Sequence, residues 1–435
     1  MRKKEYRILN KRGAITIMVL LMFVSLMMLI TAFINGSVQR GIGSSTAALG
    51  KVWGRSVLGE YDINLQSRYG IFGFYGYDGQ IAKKIDTYAS HSFAGKKYVR
   101  YGGCSSCLEE FSLGKTANFK KQIEEVGRLA TAEGMIQGAL QPGKITGGYN
   151  SEGTHYIRNN AVWQSLPSIG KGAGADIGNI VSFIKSKKSV KELGAAGVGI
   201  ASQIQYLFNF YRHQMDDKEL GETFFNNEIE YVICGERSDS QNKAELKGRI
   251  ILLREALNLA FLEANPKKRN EALLAAQAIT PGPPAMLTMH AIMAVWALLE
   301  SENDYRLLQA GMPVPFVKTE ASWAVDVNFA AGDNRTRQQL NPDDMSEEAK
   351  KEKGKKSPSY LIDTGNREGE DYEDYLKVFA YFLGEETRLL RMMDLIQINM
   401  KYLYAGDFLI REYNCGLSYS LKVNGRIYEF EETYF

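Results

Sequence analysis

The sequence predicts an α+β fold, predominantly helical, carried on an N-terminal transmembrane helix that extends beyond the membrane. Three observations lead there: one long uncharged apolar run, several apolar patterns of helical period downstream, and a hairpin signal near the C-terminal end. Gly13 to Gln39 is 27 residues without a charge, and its apolar heart, Ala14 to Ile34, is 21 residues long. About 20 apolar residues, each rising ~1.5 Å, cross a ~30 Å hydrocarbon core. Arg2, Lys3, Lys4, Arg7, Lys11 and Arg12 precede the run. Lys and Arg stay on the cytoplasmic side during insertion, so the N-terminus is expected inside and everything after Ile34 outside. A cleaved secretory signal competes for this segment, but such signals carry an h-region of roughly 7 to 15 residues and a small-residue cleavage site. Phe33-Ile34-Asn35-Gly36 offers no such site, and the segment reads as an uncleaved anchor. The expected organisation is a cytoplasmic basic segment (1–13), the span (14–34), a juxtamembrane helical stalk (35–68) and an extracytoplasmic α+β domain (69–435).

Composition sets further bounds. The 435 residues, 45% of them hydrophobic, suffice for one large or two ordinary domains beyond the membrane. The formal charge of +3 is concentrated in the first 12 residues, which carry +5, leaving about −2 for the remainder. With no basic excess outside, the sequence gives no support for nucleic-acid binding. Four cysteines are too few for a disulfide scaffold. Cys104 and Cys107 have redox or half-zinc spacing, but Tyr101-Gly102-Gly103 reads as a turn and no second CxxC completes a zinc site. A local disulfide between them, or two unreactive thiols, is the expectation.

Within the stalk, Gly43, Ala47, Gly50 and Gly54 recur at spacings of four, three and four. They place small residues on one stripe that admits a close packing partner. The bland alternative is that these glycines merely loosen a connector. An aromatic, glycine-punctuated stretch from Tyr69 to Tyr75 then turns the chain into the globular part. Phe119 to Leu140 is expected to be helical and Pro142 to Gly178 a loop. Gly170 to Gly174 lacks phosphate-loop spacing. Glu228 to Cys234 reads as a strand, with Ile229, Tyr231 and Ile233 alternating against Glu230 and Val232. Lys243 to Ala264 is the strongest helix, lined by Leu246, Ile250, Leu253, Leu257 and Phe261 and ended by Pro266. Ala285 to Leu299, too short to span a membrane, is expected to be a buried core helix after Pro283-Pro284. Residues 331–371 read as a charged mobile insertion. Asp371 to Tyr404 is helical, begins with acids that suit a helix N-terminus, and is divided by Gly384. Leu417 to Val423 and Arg426 to Phe430 flank Asn424-Gly425, a hairpin signal that makes Cys415 and Cys234 candidate neighbours in one sheet.

Reactive constellations are not visible. His91, His155, His213 and His290 stand apart in sequence, and neither a nucleophile elbow nor a nucleotide fingerprint appears. Glu109-Glu110, Asp216-Asp217 and Glu385-Glu386 could in principle serve a hydrolase, but adjacent acids diverge on regular structure and usually form a solvated face. No catalytic residue, metal site or cofactor is expected. A membrane-tethered enzyme, such as a wall-active hydrolase, is the alternative to a binding role.

The whole pattern resembles an uncharacterised clostridial family of membrane-anchored proteins, similar to the TadE/TadG-like minor pilins of Tad (Flp-type) pilus systems. The resemblance rests on Arg12-Gly13-Ala14-Ile15-Thr16, on Gly59-Glu60-Tyr61-Asp62 followed by Tyr69-Gly70-Ile71-Phe72, and on five later blocks. These are Glu228 to Gly235, Leu252 to Asn258, Val314 to Thr319, Tyr372 to Leu376 and Arg391 to Gln397. The likeness implies a single-pass structural or assembly component of a pilus or secretion apparatus, with the lipid bilayer and platform proteins as partners. Type IV prepilins place Glu five positions after the processing glycine; Met18 stands there after Gly13, so the chain looks more like the uncleaved TadG type.

Overall fold

The computed structural model describes residues 11–132, 156–170, 174–186, 198–215, 222–325 and 362–434. It is mostly helical with small antiparallel sheets and a C-terminal hairpin. It divides into two units: one comprises Met1–Tyr61, Gly73–Ser112 and Asn414–Phe435, the other Asp62–Phe72 and Leu113–Tyr413.

The first unit is built on α1 (Lys11–Leu58), an unbroken 48-residue helix. Its apolar half is exposed from Ile15 to Ile34, and from Thr46 onward one face becomes buried. With a mean hydropathy of 2.8 over its best window and none of that window buried, it is long and apolar enough to cross a membrane. After α2 (Ile63–Tyr69), which belongs to the second unit, come β1 (Phe74–Tyr75), α3 (Asp78–Phe93) and β2 (Tyr101–Cys107). Ile81, Ile85, Ala89 and Phe93, spaced one helical turn apart, bury the inner face of α3. They meet Trp53, Val57 and Leu58 of α1 and alternate residues of the sheet.

The second unit holds the remaining helices: α4 (Thr116–Ala132), α5 (Asn160–Gln164), α6 (Ile177–Lys185), α7 (Val198–Phe210), α8 (Glu228–Cys234), α9 (Asp239–Ala264), α10 (Pro266–Ile279), α11 (Ala285–Gln309), α12 (Tyr372–Phe382) and α13 (Glu385–Leu403). The division at Gly384 is present, and Asp371 caps α12 by accepting from the Asp374 N–H at 2.8 Å.

Several expectations need correction. Glu228 to Cys234 is helix, not strand. All seven residues are buried, so alternation carries no inside-outside signal, and Gly235 closes the turn in the left-handed region at φ 79. The expected loop before Gly178 contains α5 and the start of α6, because Asn159 and Asp176 act as N-caps. Within Ala285–Leu299 only one face is buried, through Met289, Met293 and Trp296, while Leu287 is 78% exposed. The helix also runs on to Gln309. Tyr101-Gly102-Gly103 is strand with a bulge before Cys104, where Gly103 takes φ 107. Of the expected helix to Leu140, residues 133–140 lie outside the described residues, as do 171–173 of the glycine-rich segment and 326–361, most of the expected insertion.

The chain closes with β3 (Tyr413–Asn414), β4 (Gly416–Val423) and β5 (Arg426–Thr433). The expected hairpin is present: Asn424 and Gly425 take φ 51 and 77, the two positive values a type I′ turn needs. The first unit's sheet has the antiparallel order β2-β4-β5.

Candidate functional site

The predicted small-residue stripe does have a close packing partner, and it lies in the same chain. Gly43 faces Tyr428, Gly50 faces the Phe430 ring, and Gly54 faces Glu432 and Tyr419, all from the C-terminal hairpin. A Cβ at Gly50 would overlap the Phe430 ring, and one at Gly54 would stand 2.9 Å from Glu432 Cγ. Tyr419 stacks on Phe430 at 5.0 Å and donates its hydroxyl to the Gly50 carbonyl, while Tyr434 donates to the Leu58 carbonyl at 2.5 Å. Ala47 is not part of this seat; it is exposed, and the fully buried Thr46 takes its place in the stripe. Trp53 adds an edge contact to Phe93 at 5.7 Å. The first unit thus clamps the stalk end of α1 between α3 and the sheet.

For the cysteine pair, the disulfide alternative is overturned and two free thiols remain. Cys104 pairs with Leu421 on the core-facing side of β2, and Cys107 pairs with Ser418 on the outer side. Residues three apart on a strand are ~10 Å apart and point to opposite faces, which rules out a bond between them. Both are free thiols, and burial followed by the nearby Asp86 pushes the Cys104 thiol up to about 12. Cys234 ends α8 in the second unit and Cys415 lies in the first, so they share no sheet. On the outer face a shallow depression is lined by Ser105, Cys107, Ser418, Ser420, Glu429 and Glu431.

In the second unit the structure assembles a buried ionic network that sequence reading missed. Arg254 Nε donates to Asp304 Oδ2 at 2.9 Å, and its other nitrogens donate to Asn258, Tyr375 and the carbonyls of Pro315 and Phe316. Lys318 Nζ lies 2.6 Å from Asp304 Oδ1 and 2.7 Å from Glu300 Oε1. Glu300 also accepts the backbone N–H groups of Ala324 and Val325. Burial pushes Asp304 upward, but Arg254 and Lys318 outweigh it and hold that carboxyl below its ordinary value. For Glu300 burial dominates and raises it. Two cations and two anions, none more than 4% exposed, compensate one another. The two carboxylates converge, yet they are sealed, and their work is to pin residues 314–325 onto α9 and α11.

A second polar layer surrounds α8 and α13. Glu228 accepts from Asn399 at 2.6 Å, Glu230 from Tyr372 at 2.9 Å, and Asp394 from Tyr231 at 2.9 Å and the Ser168 N–H at 3.0 Å. The paired acids of the sequence do not join it as pairs. Glu109 and Glu110 lie exposed, Glu385 pairs with Lys120 at 2.8 Å, and Asp216-Asp217 lies outside the described residues. Of the histidines, His213 is buried near Glu373, His91 and His290 are exposed, and His155 is not among the described residues. Among the described residues no group of three or more His, Cys, Asp or Glu is placed to hold a metal ion.

Residues 166–425 match the model of a family of unknown function, DUF5702, and the chain belongs to that family. The match takes in both buried polar layers and β4 but begins beyond α1. No curated protein and no solved structure matches the chain.

Two predictions follow from this geometry. Gly50→Leu should destabilise the first unit by about 1 to 3 kcal/mol through overpacking against Phe430, whereas Ala47→Leu should be near neutral. Thermal unfolding of the purified protein compares them, and equal effects would disprove the seat. Burial also raises the Asp394 carboxyl to about 6, against an ordinary ~3.9 when unfolded. The folded state therefore binds that proton more tightly; the resulting stabilisation is full below pH ~4 and is lost as pH rises through 6, a total of roughly 3 kcal/mol. Urea denaturation at steps across this window should show Asp394→Asn with a flatter pH dependence than the parent, and parallel profiles would refute the assignment.

Proposed function

We propose that this chain is a membrane-anchored structural or assembly component of a pilus or secretion apparatus, similar to TadE/TadG-like minor pilins, and that it works by binding rather than turnover. The observation that carries the reading is the continuity of α1. One helix runs from a fully exposed apolar half into a stalk clamped by α3 and the C-terminal hairpin. A clamped helix transmits displacement along its axis to the folded part of its unit, which a flexible linker would not do. The basic cluster before Gly13 supports a cytoplasmic N-terminus with the chain after Ile34 outside.

Because the stalk stripe is occupied within the chain, the surface offered to other subunits is the apolar half of α1. Ser25 and Thr31 return their hydroxyls to the Met22 and Met27 carbonyls at 2.8 Å each. Lateral contacts there rest on van der Waals packing.

A photoreactive residue at Met28 in intact cells should trap a pilus or platform subunit, and removal of the chain should impair pilus display or secretion. No trapped partner together with unchanged pili and secretion would sink the assembly reading. A reporter active only outside the cell, fused after Phe435, checks the orientation separately; an inactive reporter on a stable fusion would reverse it.

A further inference from the structure

The α10–α11 hairpin carries an uncharged surface that nothing in the proposed assembly uses. From Ala272 to Leu299 the chain runs 28 residues without Asp, Glu, Lys or Arg. A run of that length folds here as two helical arms joined by Thr280–Pro284. The inner face packs against Leu262, Trp323 and Val325. The outer face leaves Leu274, Ile279, Met286, Leu287, Val295 and Leu298 between 41% and 78% exposed. Elsewhere in the second unit the described residues expose only Ile63, Tyr156, Leu252 and Val317 to a comparable degree, and these are scattered in sequence. An apolar surface concentrated this way marks an interaction site.

We propose that this hairpin docks into the surface of a lipid bilayer, as a second membrane contact in addition to α1. Three observations favour lipid over a protein partner. First, the six exposed side chains are all aliphatic or thioether; the aromatic and arginine anchors that dominate protein interfaces are missing from the set. Second, the tip has few polar groups to desolvate, since Pro281, Pro283 and Pro284 have no N–H. The Thr280 N–H is bonded to Ala276, those of Leu287 and Thr288 to Pro284, and that of Ala285 to Gly282. The Thr280 and Thr288 hydroxyls bond each other at 2.6 Å. Third, α1 is long and apolar enough to tether the chain to a bilayer, and tethering raises the effective concentration of lipid around a weakly binding surface. The inference rests on membrane anchoring and is independent of any role in a pilus.

The test uses the full chain, one copy per lipid nanodisc, with an environment-sensitive fluorophore at Leu287→Cys or Leu274→Cys in a background of Cys104→Ser and Cys107→Ser. Lipids bearing a quencher on the acyl chain should blue-shift and quench emission from both positions, and leave a probe at Leu252→Cys, exposed on α9, unaffected. Two labelled positions keep the test decisive should one substitution disturb folding. Unquenched probes at 287 and 274 would overturn the proposal. So would shielding that appears only in discs holding two copies, because the face would then be an interface between copies of this chain.

Discussion

The first unit depends on one close approach, that of the α1 backbone to the face of the C-terminal hairpin. The chain's earliest helix and its last two strands meet where Gly50 leaves room for the Phe430 ring and where Gly54 leaves room for Tyr419. Side chains there would hold helix and sheet apart, and the Tyr419 hydroxyl would no longer reach the Gly50 carbonyl. Each glycine inside a helix costs about 1 kcal/mol relative to alanine. That cost is offset by packing of Trp53, Val57 and Leu58 against the sheet and α3, which is possible only at this short distance. A helix long and apolar enough to cross a membrane thereby continues without a break into the packed core of its unit.

The second unit depends on a different constraint, the compensation of charge in a dry interior. Arg254, Lys318, Glu300 and Asp304 are removed from water, and an isolated charge there would be prohibitive. Their mutual pairing makes the group tolerable, but an apolar set of the same volume would often be as stable. What the ionic set adds is direction. Arg254 can satisfy its donors only if the carbonyls of Pro315 and Phe316 arrive at fixed places, and Glu300 accepts from Ala324 and Val325 only in one register. An irregular segment is thus tied to two helices by charge-assisted hydrogen bonds. Removing one member would leave an uncompensated charge, at a cost of roughly 3 to 5 kcal/mol.

Much of this was legible in the sequence where local chemistry decides the outcome. Asn424-Gly425 dictated its hairpin, Gly384 its helix break, and the uncharged run its exposed helix. Reading failed where burial is uniform or where partners are distant. Glu228 to Cys234 alternates like a strand, yet every residue is inside and a left-handed glycine ends it as a helix. The stripe was placed one residue out of phase at Ala47, because a buried Thr46 does not announce itself as a packing residue. The links from Arg254 to Asp304, Pro315 and Phe316 join positions 50 and more residues apart, and no spacing rule reaches that far. A weaker signal existed: the blocks around Arg254, Lys318, Tyr375 and Asp394 that carry the family resemblance supply several of the buried polar groups, although Glu300 and Asp304 lie outside them.

The buried polar groups of this chain share one structural task. Its most distinctive side chains are spent on holding shape: guanidinium to carbonyl, carboxylate to backbone amide, tyrosine to aspartate. Burial is the leading cause of the raised carboxyls of Glu300 and Asp394 among them. The surfaces left over are of another kind, namely the apolar half of α1, the uncharged α10–α11 hairpin and the hydroxyl-lined outer face of the sheet. Two of the three are suited to an apolar phase. A rigid interior combined with such surfaces is what the proposed role of holding a position at a membrane would draw on.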